Sequence, residues 1–306
     1  MPNASVIFDR HLLRERRRRA AALVPADFLL ARVADDLAER LSSVLRRFDV
    51  VVDLGTPGDH LRRALAAGGK VGSLIALDPL FSLPGLPGRS GAPSPNPVAA
   101  DEEALPFRDG SLDLVVSALA LHLVNDLPGT LIQIRRALKP DGLFLAALLG
   151  GETLTELRQA FAQAEVEVEG GISPRVAPFP DLRDLGALLQ RAGFALPVAD
   201  VERLTVRYAT VFSLMHDLRR MGAGNALIER RRIRLRRATL MRMAEIYARR
   251  FADADGRLRA TFEIVWLSGW APDASQQKPL QPGSAKMRLA DALGTKEIPA
   301  GEKAGR

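Results

Sequence analysis

The sequence contains no cysteine. Disulfides, thiolate metal sites and a cysteine nucleophile are therefore excluded. Histidine is scarce as well. His11, His60, His122 and His216 show no ligand spacing such as His-x-x-x-His, so no metal site is expected. Aromatic residues make up 5% of the 306 while hydrophobic residues make up 47%, so the core must rely on Leu, Val and Ala. Long uninterrupted apolar runs are missing. The stretch 112–124 is broken by Ser117 and ends at Asn125, too short to span a bilayer. The chain starts with a short apolar patch and then a basic run, the reverse of a secretory peptide. A cytoplasmic protein is the expectation, with peripheral contact at the inner face of the membrane as a variant of it.

Negative charge is in the minority. Lys and Arg number 43 against 36 Asp and Glu, a net charge of +7. Two arginine clusters dominate, Arg14 with Arg16 to Arg19, and Arg230 to Arg237. Such clusters suit solvated helix faces, an acidic protein partner or an anionic membrane surface. Aromatic residues do not interleave with them, so base stacking, and with it nucleic acid, is not expected.

Periodicity gives an alternating α/β order. Helical spacing covers 9–23, 26–47, 59–67, 127–138, 152–168, 181–191 and several stretches within 210–252. Apolar strand signals fall at 50–54, 71–77, 112–118, 143–149, 198–207 and 260–268. Strands apolar on both sides suit a parallel sheet covered by helices on each face. The interval 81–97 holds many Pro and Gly, so a flexible exposed loop is expected where this rhythm would place a helix. The organisation predicted is N-terminal helices over 1–47, an α/β domain over 48–209, helices over 210–255, a last strand within 256–270 and a polar tail over 271–306 with a disordered end.

The chemistry concentrates at the carboxyl ends of the strands. The segment VVDLGTPGDHL runs from an apolar strand through Asp53 and Gly55 into a helix, and in an open α/β sheet that edge is where ligands bind. Glycine permits close approach, and the helix starting near Gly58 offers free N–H groups. Asp78 ends the second strand, 23 residues beyond Gly55, where a carboxylate can accept both hydroxyls of a ribose. Asp101 or Glu102 could accept from the exocyclic amine of an adenine. Each has a plainer reading as well: a tight turn at Asp78 and a solvated acidic turn at Asp101. His122 follows a strand end and reads equally as a general base or as a satisfied structural histidine. Asn125 or Asp126 looks like a helix cap. Gly150-Gly151 turns the chain so that Glu152 would face the site. Neither a Gly-x-Ser-x-Gly elbow nor a Walker loop is present.

Several longer segments carry a resemblance. They are IFDRHLLRERRRRAA at 7–21, ADEEALPF at 100–107, the continuous stretch 114–158 with its ALKPDG turn, EGGISPRVAPF at 169–179 and GSAKMRL at 283–289. In these the chain resembles a class I S-adenosylmethionine-dependent methyltransferase, and more narrowly the mitochondrial complex I assembly factor 5 family with its bacterial relatives. The resemblance implies a Rossmann-like class I methyltransferase fold, with a seven-stranded, mostly parallel sheet, a reversed last strand and a helical insert before it. It implies S-adenosyl-L-methionine as cofactor. Asp53, Gly55 and Gly58 would then lie near its methionine part, Asp78 at its ribose, Asp101 and Glu102 at its adenine, and Ser117 and His122 on the reaction side. It implies a protein substrate, a subunit of the respiratory NADH dehydrogenase. Methyl transfer is the leading reaction. Arginine hydroxylation on the same frame and a non-catalytic assembly factor are the alternatives. The loop departs from the family pattern of Gly-x-Gly-x-Gly: here it is Gly55-Thr56-Pro57-Gly58-Asp59. Pro57 lacks an N–H, and Asp59 brings a carboxylate that would repel a carboxylate-bearing cofactor unless it points away.

Overall fold

The computed structural model describes residues 6–82, 96–277, 284 and 287–296. Most of the Pro/Gly-rich interval, 83–95, lies outside them. The connection after the second strand opens with a 3-10 turn over Pro79–Ser82.

Seven strands form one sheet: β1 Phe48–Leu54, β2 Val71–Leu77, β3 Pro97–Val98, β4 Leu112–Ala118, β5 Leu138–Leu149, β6 Ala195–Tyr208 and β7 Leu258–Trp270. Their order is β3-β2-β1-β4-β5-β7-β6. Only β7 runs antiparallel to its neighbours, so the last strand is reversed as the resemblance implied. β4 is buried along its whole length because both faces are covered. Leu114, Val116 and Ala118 meet one helical layer and Val115 the other. β5 begins earlier than its apolar run suggests. Leu112 pairs with Leu138 and Leu114 with Leu143, so Lys139 to Gly142 ride inside the strand as an irregularity.

On one face lie α2 Phe28–Ser42, α3 His60–Ala67, α5 Thr155–Glu169, α7 Val211–Arg220 and α8 Arg237–Phe251. α4 Leu127–Ala137 and α6 Leu182–Arg191 cover the other. Each buries an apolar stripe at helical spacing; in α2 it is Leu30, Val33, Leu37 and Leu41. α7 and α8 are the insert between β6 and β7, joined by irregular chain over 221–236. α8 is fixed by Met243, Ile246 and Tyr247, and the buried Tyr247 hydroxyl donates to the Arg259 carbonyl at 2.7 Å.

The N-terminal helix α1, Arg10–Ala21, is capped by Asp9, whose carboxylate accepts from the Leu12 amide at 3.0 Å. The segment leading into it is clasped across the molecule. Asn125 Oδ1 accepts from the amides of Ile7 and Phe8 at 2.9 and 2.7 Å, and Asn125 Nδ2 donates to the Phe8 carbonyl at 3.2 Å. The helix cap itself is Asp126, which accepts from Gly129 N at 2.8 Å.

Residues 273–306 form a second unit. Its described part includes a short helix, α9, over Leu289–Leu293, and 297–306 lie outside the description. Among the described residues no helix is long and apolar enough to cross a membrane.

Candidate functional site

The carboxyl ends of β1, β2 and β3 place Asp53, Asp78 and the loop carrying Asp101 and Glu102 along one edge. Asp53 is fully buried at the end of β1. Its Oδ2 takes the Arg62 Nη1 at 2.6 Å, and Arg62 also donates to the Gly58 carbonyl. Its Oδ1 is buried and makes no hydrogen bond of full geometry, although the Thr56 hydroxyl lies close enough to steady the carboxylate. Burial pushes the Asp53 carboxyl up to about 6, against the pull of Arg62. Gly55 follows with φ of +70°, a left-handed conformation suited to glycine. A Cβ there would lie 2.8 Å from Glu102 Oε1, so the backbone and that carboxylate are in direct contact. Asp59 does point away, toward Arg63 Nη2 at 3.2 Å, so its charge is not aimed into the loop.

Asp78 accepts from the Leu80 amide at 2.8 Å. Burial raises its pKa, and Arg17 and that amide only partly oppose the rise. Asp101 and Glu102 face α1. Arg10 Nη2 lies 2.8 Å from Asp101 Oδ1 and also pairs with Glu102, Arg14 pairs with Asp101, and Arg17 Nη1 is 3.6 Å from Glu102 Oε1. These three arginines stand at i, i+4 and i+7 and so share one face of the helix. Burial works against the Asp101 charge, yet the Glu103 amide and the two guanidiniums hold its carboxyl below the usual range. The acidic edge is thus covered by a row of guanidiniums from the N-terminal helix. Sequence reasoning left this basic cluster open between a solvated face and an acidic partner. Much of its charge is spent inside the molecule. The second cluster behaves similarly in part: Arg230 pairs with Asp9 at 3.2 Å and Arg231 with Glu169 at 2.8 Å.

Beside the acidic edge lies a largely apolar cavity of about 160 Å³, walled by Pro57, Leu119, His122, Leu149, Leu154 and Phe179, with Arg17 at its border. His122 is buried, and its ring meets that of Phe179 at 5.6 Å between centroids. Its Nδ1 faces the Leu149 amide at 3.5 Å, which leaves the proton on Nε2. Burial, reinforced by the Arg17 charge, drives its pKa down to about 3. Two leucines of this wall adopt left-handed backbone, Leu119 with φ 52° and Leu154 with φ 54°. Each costs roughly 1–2 kcal/mol. Both are pinned by hydrogen bonds, Leu119 N to Ala147 O and Leu154 N to Thr261 O, each at 2.8 Å. Strain held in place by surrounding structure marks functional walls more often than plain core. No sequence pattern signals these two positions.

Ser117 does not reach this cavity. It is fully buried and its hydroxyl donates to the Leu54 carbonyl at 2.7 Å, tying β4 to β1. Thr56, which the sequence left unremarked, accepts from the Ala118 amide at 2.9 Å and fixes the loop after β1. Glu152 is exposed. Among the described residues no cluster could hold a metal ion.

The residues present fit a cationic, nucleoside-bearing ligand. A buried carboxylate oxygen on Asp53 and the Glu102 carboxylate lie beside a glycine with no room for a side chain, and the Asp78 charge acts on both acids. The cavity alone is smaller than the roughly 300–1,000 Å³ of a ligand pocket. Such a ligand must therefore take space along the acidic edge that the α1 guanidiniums now cover.

The family model described as a methyltransferase domain matches residues 52–146. Among curated proteins, arginine-hydroxylase NDUFAF5, mitochondrial, of Danio rerio is 39% identical over 93% of this chain and 89% of its own length. A malonyl-[acyl-carrier protein] O-methyltransferase of Laribacter hongkongensis is 38% identical over 90% of this chain and 94% of its own. Among solved structures, the YcgJ protein of Bacillus subtilis matches with a TM-score of 0.52 at 16% identity, over 78% of this chain and 98% of that one, a likeness of fold. The expectation of a cytoplasmic protein is corrected by these relationships, because the arginine-hydroxylase relatives are mitochondrial. Ile7 and Phe8 of the starting patch and Arg10, Arg14 and Arg17 of the basic run are used in the fold, where they dock α1. By sequence along nearly its whole length and by its reversed-strand sheet, the chain belongs to the class I methyltransferase-fold family that contains the NDUFAF5-like arginine hydroxylases and bacterial O-methyltransferases.

Proposed function

We propose that the acidic edge binds S-adenosyl-L-methionine and that the adjoining cavity receives one side chain of a protein substrate. The observation that carries this reading is the buried Asp53 carboxylate beside Gly55, whose Oδ1 lacks a hydrogen bond of full geometry. A buried carboxylate oxygen without a partner is costly, and a ligand cation would satisfy it. Asp53 would hold the ammonium end of the cofactor, Asp78 the ribose hydroxyls, and Asp101 with Glu102 the adenine. When bound, the cofactor supplies a methyl group already activated on a sulfonium. The chain's part is then orientation and exclusion of water. His122 is uncharged at neutral pH and too weak a base to take a proton efficiently. Its Nε2–H serves instead as a donor that orients the acceptor. Arg10, Arg14 and Arg17 occupy the acids in the closed arrangement, so α1 must shift for the cofactor to enter.

A subunit of the respiratory NADH dehydrogenase is the acceptor we propose, as the family resemblance implies. Hydroxylation of an arginine is the second reading, favoured by the name of the 39%-identical relative. Calorimetry with the purified protein and S-adenosyl-L-methionine tests the cofactor. Saturable binding is expected, and Asp78→Ala should weaken it about tenfold or more, since hydrogen bonds to a charged acceptor are worth about 1.5–3 kcal/mol. Absence of saturation up to about millimolar cofactor, roughly 4 kcal/mol of binding, removes this reading. Mass spectrometry of the NADH dehydrogenase subunits, with and without the protein, separates a methyl gain from an oxygen gain.

A further inference from the structure

Outside the cavity, a second depression of about 500 Å³ opens between α1, α7 and the 222–225 strip. Its floor is apolar, made by Leu157, Phe161, Met215, Leu218 and Leu235. Its rim is basic, with Arg16, Arg19 and Arg219, and no acidic residue lines it. Arg19 meets Glu15 only at 3.8 Å and is 72% exposed. Among the described residues no ion pair is made by Arg16 or Arg219, unlike Arg10, Arg14 and Arg17 on the opposite face of α1. Arg16 instead lies near Arg230 and Arg19, and burial together with these like charges lowers its pKa. This is a cationic rim only weakly countered from within, by Glu15 at Arg19 and by the more distant charge of Asp9 at Arg16, around a greasy floor.

The depression adjoins the candidate site. Leu157, Leu218 and residues 222–225 wall both it and the cavity beside His122. Gly222 and Gly224 keep this shared wall thin. At Gly222, φ is +74° and an added Cβ would lie 3.2 Å from the Arg17 Cα, while at Gly224 it would strike the Arg16 guanidinium.

We propose that this groove docks the protein substrate, through a helical segment that carries apolar side chains on one face and carboxylates beside them. The proposal rests on the reading of the cavity as an acceptor site and adds where and by what chemistry the substrate approaches. Charge complementarity selects acids, and the apolar floor selects side chains that insert. A concave floor suits an inserting helix better than a bilayer surface, which is met by protruding apolar groups.

The test uses the full chain and a fluorescein-labelled helical peptide with Leu on one face and Glu flanking it. A Lys-for-Glu version of the peptide and vesicles of phosphatidylglycerol with phosphatidylcholine serve as the other probes. Fluorescence anisotropy should show saturable binding of the acidic peptide and none of the basic one. Arg16→Glu with Arg219→Glu should weaken it about tenfold at low salt, and Arg219→Glu alone about threefold, with the loss reduced as salt rises. Arg219 is an exposed side chain, so its variant folds irrespective of the Arg16 change. Equal binding of both peptides, indifference to the charge reversals, or binding to vesicles in place of the acidic peptide would overturn the proposal. Calorimetry with S-adenosyl-L-methionine on the same variants keeps the two readings apart. Cofactor affinity should be unchanged where peptide binding is lost, and loss of both together counts against a separate docking groove.

Discussion

Replacing His122 by a side chain that cannot titrate should change how stability depends on pH. The native imidazole is held near pKa 3, first by burial and then by Arg17, while the unfolded one titrates near 6.5. The unfolded chain therefore binds the proton first. Stability from this group is intact above pH 6.5 and falls as pH drops toward 3, by about 1.4 kcal/mol per unit. From pH 7 to pH 5 the loss is about 2 kcal/mol. Asp53 acts with the opposite sign. Its native pKa is raised from 3.8 to about 6, so the native state takes that proton first and gains stability as pH falls between the two values. Over pH 7 to 5 this gain is about 1 kcal/mol, which flattens the profile of the parent protein. The informative quantity is the difference between the parent and His122→Asn. Asn keeps an acceptor near the Nδ1 position opposite the Leu149 amide. Urea unfolding, followed by fluorescence of Trp266 and Trp270, gives that difference at each pH. Whatever its offset at pH 7, it should shift by about 2 kcal/mol in favour of the variant at pH 5. Parallel curves for parent and variant would show that the buried imidazole titrates normally and would refute the argument.

Other substitutions probe the neighbouring structure. Gly55→Ala should cost about 2 kcal/mol or more in urea unfolding, because φ is +70° and the new Cβ meets Glu102 at 2.8 Å; no loss would mean the loop is looser than described. Asn125→Ala removes three hydrogen bonds to Ile7 and Phe8, so amide exchange over 7–13 should quicken about 10- to 100-fold while the sheet is unaffected. Unchanged exchange there would place the clasp elsewhere. Tyr247→Phe leaves the Arg259 carbonyl without its 2.7 Å donor and should cost about 1–1.5 kcal/mol by the same unfolding assay.

The sheet was legible because its strands are covered on both faces. Val51 to Leu54 and Leu112 to Ala118 read as apolar runs, and helices with stripes such as Leu37 and Leu41 cover them. The carboxyl-edge acids were legible too, since a strand that ends in Asp53 or Asp78 places it at that edge whatever the partners are. What occupies those acids was not. Arg10 and Asp101 are 91 residues apart, and Arg14 reads locally as one of a run of exposed charges. The pairing exists only once Asn125 has drawn residues 7 and 8 across the sheet edge. The Ser117 bond was not legible for a related reason. Its hydroxyl points to β1, and a strand pattern gives the face of a residue but not which backbone oxygen it meets. Leu119 and Leu154 carry no signal at all, because left-handed leucine is imposed by tertiary hydrogen bonds against local preference.

The clasp on the N-terminal segment also sets an order of assembly. Asp9 N bonds Ala226 O and Ile228 N bonds Ile7 O, each at 2.9 Å or less, so the last of the bonds that hold the first helix forms only after the chain beyond residue 228 has been made. During synthesis Asp53, Asp78 and Asp101 emerge well before these last bonds of their guanidinium cover can form. Until then the opening helix has Asn125 and the acids at 101 and 102 to hold it, without the bonds to 226–228. A ribosome paused before that point would present the negatively charged cleft under a cover more loosely held than in the finished molecule.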